Sequence, residues 1–403
     1  MKPLFRKKKT DAAEGLPQAP QNSYYEEISA RLGIFQVVLY LSLLAFAVLS
    51  FATNTSLITY SNFYYFFRDL SASAEKVDIF DADSVSYPME EEQSFSLYRR
   101  GLAVAGNRTV TLFSAAGRPL LSKNISYRNP VAVGHGKYLL VYEMGGTQYS
   151  LYNSSAQLHT EETESAIYGA AVSDSGMYAL FFRGKDQSEI LLYNNRFSLL
   201  NRFRLNGYVM DVCISPDGSR MAILQSDTRN GTFYTRLLLA TPGEDAAPTE
   251  VYSGTSMGIS CAFSDSGNVF ALCSEKIVVC NADGETRTDY DFSGAALADA
   301  DLGADGAAIL LKKNNVSGEK NRIVFDKNGN VVYNEETTEP TSQLCLSGGM
   351  LFWLSDGAVH RRNLRTGETD AIACVTDRRT LIAIDENEVL CCSGQKAVYL
   401  TFD

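Results

Sequence analysis

The sequence predicts an all-β fold, an eight-bladed β-propeller behind a single N-terminal transmembrane helix. Three observations predict it. Residues 32–52 form an uncharged run; a strand–turn–strand unit recurs about every 40 residues after it; and a second such unit is interleaved with the first. Helical periodicity is missing from the repeating part, where short apolar runs are broken by Gly and Asp turns.

The membrane helix comes first. Lys2, Arg6, Lys7, Lys8, Lys9 and Arg31 precede residues 32–52, which hold no charged side chain. At 1.5 Å per residue this run spans about 31 Å, the thickness of a bilayer's hydrocarbon core. Ser23 with Glu26 three residues on is a capping-box pattern, so the helix is expected to begin near Tyr24. Tyr60, Phe63, Tyr64, Tyr65, Phe66 and Phe67 follow as an aromatic belt ahead of Arg68. The excess of Lys and Arg before the span places the N-terminus in the cytoplasm and the remainder outside. A cleaved signal peptide is the rival, with Ser50-Phe51-Ala52 as a small-x-small site. Signal cores, however, run to about 7–15 residues behind a short basic lead, and both are longer here. The chain is therefore read as a cytoplasmic basic tail at 1–23, a transmembrane helix at 24–53, an aromatic juxtamembrane segment at 54–75 and an extracytoplasmic propeller at 76–403.

The repeat organises the rest. VMDVCISPDGSRMAIL at 209–224 aligns with GISCAFSDSGNVFALC at 258–273, with YGAAVSDSGMYAL at 168–180 and with ADADLGADGAAILL at 298–311. Each is a strand, a tight Asp-Gly or Ser-Gly turn and a second strand, which is a hairpin. Gly101, Gly136, Gly348 and the turn Asp385-Glu386-Asn387 extend the series to eight first hairpins. Second hairpins follow in the same rhythm, with turn glycines at Gly117, Gly243, Gly284, Gly329 and Gly367 and glycine-free equivalents near Ser154 and Asn195. Two interleaved hairpins give four strands per repeat, the signature of a propeller blade. Seven blades is the alternative, because the first and last copies match least well.

The last repeat ends on a third strand, AVYLTF at 397–402. Its fourth strand is expected from residues near 76–87, which include the run Lys76-Val77-Asp78-Ile79-Phe80-Asp81. Pairing them closes the ring and removes an open edge.

ISPDGSRMAI at 214–223 resembles the propeller repeats of TolB-type proteins, and the wider pattern is similar to quinoprotein-like propellers. The basic tail, the single span, ITYSNFYYFFRDL at 58–70 and the propeller together resemble an uncharacterised family of membrane-anchored propellers from Gram-positive bacteria. That resemblance implies a fold and a location and no known activity.

Composition narrows the partners. The chain carries 36 Lys and Arg against 47 Asp and Glu, a formal charge of −11. The six basic and four acidic side chains of residues 1–31 leave 30 and 43 for the remainder, a net of −13. An acidic exported domain is repelled by anionic lipids and wall polymers, and its field does not draw in nucleic acid.

Gly254-Thr255-Ser256-Met257-Gly258 satisfies the G-x-S-x-G nucleophile pattern, and Asp81 and His135 precede Ser256 in the chain order of subtilisin-like proteases. Strands rather than helices follow His135 and Ser256, and Ser260 stands where that family has proline, so a triad is not assigned. Asp78, Asp81 and Asp83 read as strand and turn positions. Asp326-Lys327-Asn328-Gly329-Asn330 reads as a turn, because the later bidentate Glu of a calcium loop is missing. His135, His159 and His360 fall in different blades without metal-ligand spacing. Eight cysteines sit mostly in apolar strands; Cys273 and Cys280 flank one hairpin and are the pair considered for a disulfide. Trp353, the single tryptophan, argues against a quinone-cofactor dehydrogenase.

No catalytic, cofactor-binding or metal-ligating residue is assigned, and no cofactor is expected. The expected function is a non-catalytic binding or scaffold module of the cell envelope. Its partners are the lipid bilayer through residues 32–52 and an envelope protein, peptide or wall-derived ligand, with no nucleic acid. The alternative is an envelope hydrolase with its site at the channel mouth.

Overall fold

The computed structural model describes residues 23–53, 84–154, 156–185, 187–229, 231–281, 283–313, 318–374 and 378–402. The basic tail, the aromatic stretch at 58–70, the run at 76–81 and Asp83 lie outside these residues. The chain divides into two compact units, 1–64 and 65–403.

The first unit holds one α-helix, Ser23–Thr53, of 31 residues. Its described side chains are those of residues 31–46 and 48, and Leu32, Ile34, Phe35, Leu44 and Phe46 are each more than half exposed. Among the described residues no helix is long and apolar enough to cross a membrane.

The second unit is a ring of eight four-stranded antiparallel sheets. Blades 1 to 7 take residues 93–124, 130–162, 167–206, 208–254, 258–291, 296–337 and 343–373 in order. Blade 8 takes 378–401 and borrows a fourth strand from the start of the ring. The eight blades follow the repeat count, and the turns fall where Gly and Asp punctuate the sequence. One turn differs. Gly101 opens the second strand of blade 1, and the turn itself is Arg99-Arg100, with φ of 48° and 65°. Two β-carbons in the left-handed region are strained, and Arg100 is held there by ion pairs to Asp385 and to Glu388 (3.1 Å) of blade 8.

Middle strands are buried on both faces because blades pack against each other, so they read as continuous apolar runs. Gly101–Gly106 of blade 1 and Val269–Cys273 of blade 5 are buried throughout. Each core is shared between neighbours: Phe181 and Ile190 of blade 3 pack with Val209, Ile223 and Leu238 of blade 4. Outer strands such as Val331–Thr337 alternate toward solvent.

First strands line the channel and neighbour one another around the ring, until Arg378–Ala383 of blade 8 meets Gln93–Tyr98 of blade 1. The closing strand is Ser84–Ser86, paired antiparallel with Lys396–Thr401 through Ser84↔Val398, Val85↔Ala397 and Ser86↔Lys396. Tyr87 extends the pairing: its amide donates to the Gln395 carbonyl at 3.0 Å and its hydroxyl to the Ser393 carbonyl at 2.7 Å.

All eight cysteines are free thiols. Cys273 and Cys280 cannot bridge. In their hairpin Cys280 stands opposite Val269, four residues from Cys273, or roughly 14 Å along the strand. A disulfide needs Cα atoms within about 7 Å.

Candidate functional site

Each first strand begins where the crossing from the previous blade ends, so all eight run the same way through the ring. We call the face with the crossings and the turns between second and third strands the upper face. The lower face carries the turns between strands one and two and between strands three and four.

In blades 3, 4, 5, 6 and 8 the first strand has one residue too many for its ladder. Tyr168, Met210, Ile259, Ala298 and Arg379 have no partner between their flanking register pairs. Such a bulge bends the strand and re-aims the extra residue. All five lie at the second or third position of the strand, so they ring the upper mouth of the channel. Tyr168 and Ile259 remain 40% and 41% exposed, and Tyr208 and Met257, where the crossings enter the first strands of blades 4 and 5, 50% and 49%. Side chains of that size left in water at one mouth form an apolar patch, which is the usual mark of an interaction surface.

The patch is held rigidly. Arg183 lies over the Tyr168 ring at 5.1 Å and donates to the Val209 carbonyl at 3.2 Å, tying blade 3 to blade 4. Ser188 donates to the Gly207 carbonyl (2.9 Å) and accepts from the Val209 amide (3.0 Å), which brackets Tyr208. Gly207, at φ 87°, is required here, since a β-carbon would sit 2.6 Å from the Ser226 carbonyl oxygen. On the next crossing Thr235 Oγ1 accepts from the Gly258 amide at 2.9 Å, and the Ser274 amide donates to the Met257 carbonyl at 2.8 Å.

Below the mouth the channel wall is acidic and stitched from blade to blade. A first strand is a sheet edge whose amides need acceptors, and side chains of the preceding blade supply them. Asp211 accepts from the Cys261 amide (2.9 Å), Asp299 from Leu344 (2.7 Å), Asp301 from Leu346 (2.8 Å), Asp305 from Gly348 (2.8 Å) and Gln343 from Leu381 (2.7 Å). Ser94 and Ser96 do the same for Ala132 and Gly134. Loss of water raises the Asp211 carboxyl to about 6 against the pull of the Cys261 and Val212 amides. Asp301 also rises to about 6, first from burial and then from the charges of Asp299 and Asp305. A cavity of about 440 Å³ opens against this wall between blades 6, 7 and 8.

The residues singled out from the sequence do not assemble. Ser256 is buried on an upper-face crossing, where its hydroxyl accepts from the Glu275 amide at 3.0 Å and meets Ser274 Oγ at 3.3 Å. His135 ends its strand on the lower face and pairs with Asp174 at 2.6 Å, so the two face opposite ends of the ring. Asp81 and Asp78 lie outside the described residues. His159 stacks on Phe197 at 4.6 Å. Asp326 is the acceptor of a turn, taking the amides of Asn328 (2.9 Å) and Asn330 (2.8 Å). Among the described residues no group of three or more His, Cys, Asp or Glu is placed to hold a metal ion.

Trp353 and His360 belong to a polar junction between blades 6 and 7. The rings stack at 5.1 Å, and the buried Arg322 guanidinium covers Trp353 at 4.2 Å. Glu339 accepts from Trp353 Nε1 (3.2 Å) and pairs with Arg322 (2.9 Å) and His360 (3.5 Å). Burial opposes ionisation of Glu339, but the Trp353 hydrogen bond and Arg322 charge outweigh it and hold the carboxyl below its usual range.

Solved structures similar to the ring are propellers. The WD40 domain of SCAP from fission yeast superposes with a TM-score of 0.53 at 9% identity, covering 80% of this chain and 99% of that one. BamB from Moraxella catarrhalis gives 0.52 at 13% identity, covering 79% and 96%. Sqt1 from Chaetomium thermophilum, solved bound to the N-terminus of the ribosomal protein L10, gives 0.51 at 13% identity, covering 79% and 99%. At these identities the likeness is one of fold. No curated protein matches the sequence. Residues 81–368 match a family described as a family of unknown function, DUF5711, and the chain belongs to that family.

Proposed function

We propose that the chain is a membrane-anchored binding module, with the helix Ser23–Thr53 as a single-pass anchor, the N-terminus in the cytoplasm and the ring outside. The upper mouth takes an extended segment of an envelope protein or peptide that carries apolar or aromatic side chains. The observation that carries the binding site is the recurrence of one bulge at the same place in five first strands, which sets Tyr168 and Ile259 out at the mouth beside Tyr208 and Met257. Scaffolds of this kind present loops on a rigid frame, and recognition resides in the loops. That the Sqt1 structure holds a bound protein segment supports the same use of a propeller face. The uncharged run at 32–52, continuing beyond the described side chains of the helix, and the six basic residues before it support the anchor. The enzyme alternative needs a nucleophile and base in contact at the mouth, whereas Ser256 is engaged by Glu275 and Ser274.

The test places a photo-crosslinking residue at Tyr208 or Met257, and at Asp217 on the lower face as control, in the full chain in its native membrane. An adduct that forms from the upper positions and disappears with Ile259→Asp supports the reading. Equal labelling from Asp217, or adducts indifferent to Ile259→Asp, sinks it. Carbonate extraction of the same membranes tests the anchor, since a chain released into the supernatant is not integral.

A further inference from the structure

Two cysteines face each other across the gap between blades 4 and 5. Cys213 lies on the first strand Tyr208–Ile214 and Cys261 on the first strand Gly258–Phe263. The strands run side by side in the channel wall, in a register fixed by the 2.9 Å bond from the Cys261 amide to Asp211. Cys213 packs against the buried cluster that contains Cys261, and the neighbouring Cys213 thiol, ahead of burial, holds the Cys261 thiol well above its ordinary range. Cys213 is half-buried and Cys261 buried, so one thiol of the pair is within reach of a small reagent in the channel.

We infer that Cys213 and Cys261 are a blade-to-blade disulfide site, closed by a disulfide-bearing oxidant. The Cys213 thiolate attacks one sulfur of the reagent and releases a thiol. The Cys261 thiol then attacks the mixed disulfide at the Cys213 sulfur and passes its proton to the departing thiolate, which leaves as the second thiol. Two protein thiols are oxidised and one reagent disulfide is reduced, so bonds and electrons balance. Closure joins blades 4 and 5 directly beneath Tyr208, Met257 and Ile259. The inference stands on the strand register and on the packing of Cys213 against the cluster that holds Cys261, and is independent of what the mouth binds.

The experiment uses the full chain, purified in detergent under reductant and then exposed to oxidised glutathione while folded. Free thiols are blocked and counted in denaturant, and the disulfide peptides are mapped. The expected result is the loss of two of the eight thiols, a peptide joining Cys213 to Cys261, and a rise in Tm that reductant reverses. Cys213→Ala is expected to keep all of its remaining thiols under the same treatment. Retention of all eight thiols, a stable glutathione adduct on Cys213, a link between any other pair, or loss of two thiols in Cys213→Ala overturns the inference. Mapping of the unmutated chain decides the matter even if the variant fails to fold.

Discussion

The carboxylate of Asp211 accepts the main-chain amide of Cys261 at 2.9 Å, from the first strand of one blade to the first strand of the next. An amide in that position has no strand partner, so truncating the acceptor leaves it unmet. Asp211→Ala is expected to lower stability by about 1–3 kcal/mol. Asp211→Asn keeps an acceptor oxygen and removes a charge from the wall, so its cost is expected to be smaller. Urea unfolding followed by circular dichroism measures both, and equal losses would count against this role of the bond.

The same carboxylates set a pH dependence. Asp211 and Asp301 ionise at about 6 in the folded ring, against an ordinary value of 3.8. A carboxyl whose pKa is higher folded than unfolded binds its proton more tightly in the fold. Stability therefore grows as pH falls through about 6 toward 4, by on the order of 2–3 kcal/mol for each group. Asp217 has the opposite sign. Hydrogen bonds from Ser215 and from the Ser219 amide and hydroxyl lower it to about 2, so its stabilisation is present above the ordinary value and is lost as pH falls through about 2. Tm is expected to rise from about pH 7 to about pH 5 and to drop under stronger acid. The double change Asp211→Asn with Asp301→Asn diminishes the rise, leaving the part due to Asp299, which burial also raises; scanning calorimetry across that range decides, and an undiminished rise in the double variant contradicts the assignment.

Much of this architecture is legible in the sequence, and the reason is local. Turn residues such as Ser215-Pro216-Asp217-Gly218 must adopt special backbone angles, so each hairpin declares itself, and eight of them declare the ring. The bulges are harder to read because an inserted residue resembles ordinary strand. A trace remains in the spacing of buried positions. Val209, Val212 and Ile214 are buried in one first strand and Gly258, Cys261 and Phe263 in the next, a gap of three followed by a gap of two where a flat strand keeps two. Acidic residues at alternate positions of an apolar strand, as in LADADLG at 297–303, were the sign of the stitching. Ser256 and His135 matched a catalytic pattern in chain order alone, and chain order carries no information about which face a residue occupies.

Ring closure rests on a short strand. Val85 is 4% exposed and packs with Leu390, Ala397 and Tyr399 of blade 8. Val85→Asp buries a charge without a partner and is expected to destabilise the ring by more than about 3 kcal/mol. Removing everything before Pro88 bares the edge of Lys396–Thr401, and light scattering should then find oligomers. A chain beginning at Ser84 should stay monomeric in the same measurement.

The junction of blades 6 and 7 carries its own reporter. Trp353 is the single tryptophan, and it lies between Arg322 and His360. Arg322→Ala takes the buried guanidinium from Glu335 and Glu339, which stay partly in water, an expected loss of about 1–3 kcal/mol. Intrinsic fluorescence is expected to change with that substitution and to remain unchanged with Asp211→Asn, which is remote from the ring of Trp353.

Tyr87 and Ser393 are joined by a hydrogen bond although 306 residues separate them in the chain. During synthesis the closing strand leaves the ribosome hundreds of residues ahead of the strand it must find. Every blade between them can fold on local contacts, but the last sheet has to wait, and its loop-closure entropy falls due in one late step. The seam is therefore the place where a folding assay should see its slowest phase, and where an unfinished copy would present itself to a protease.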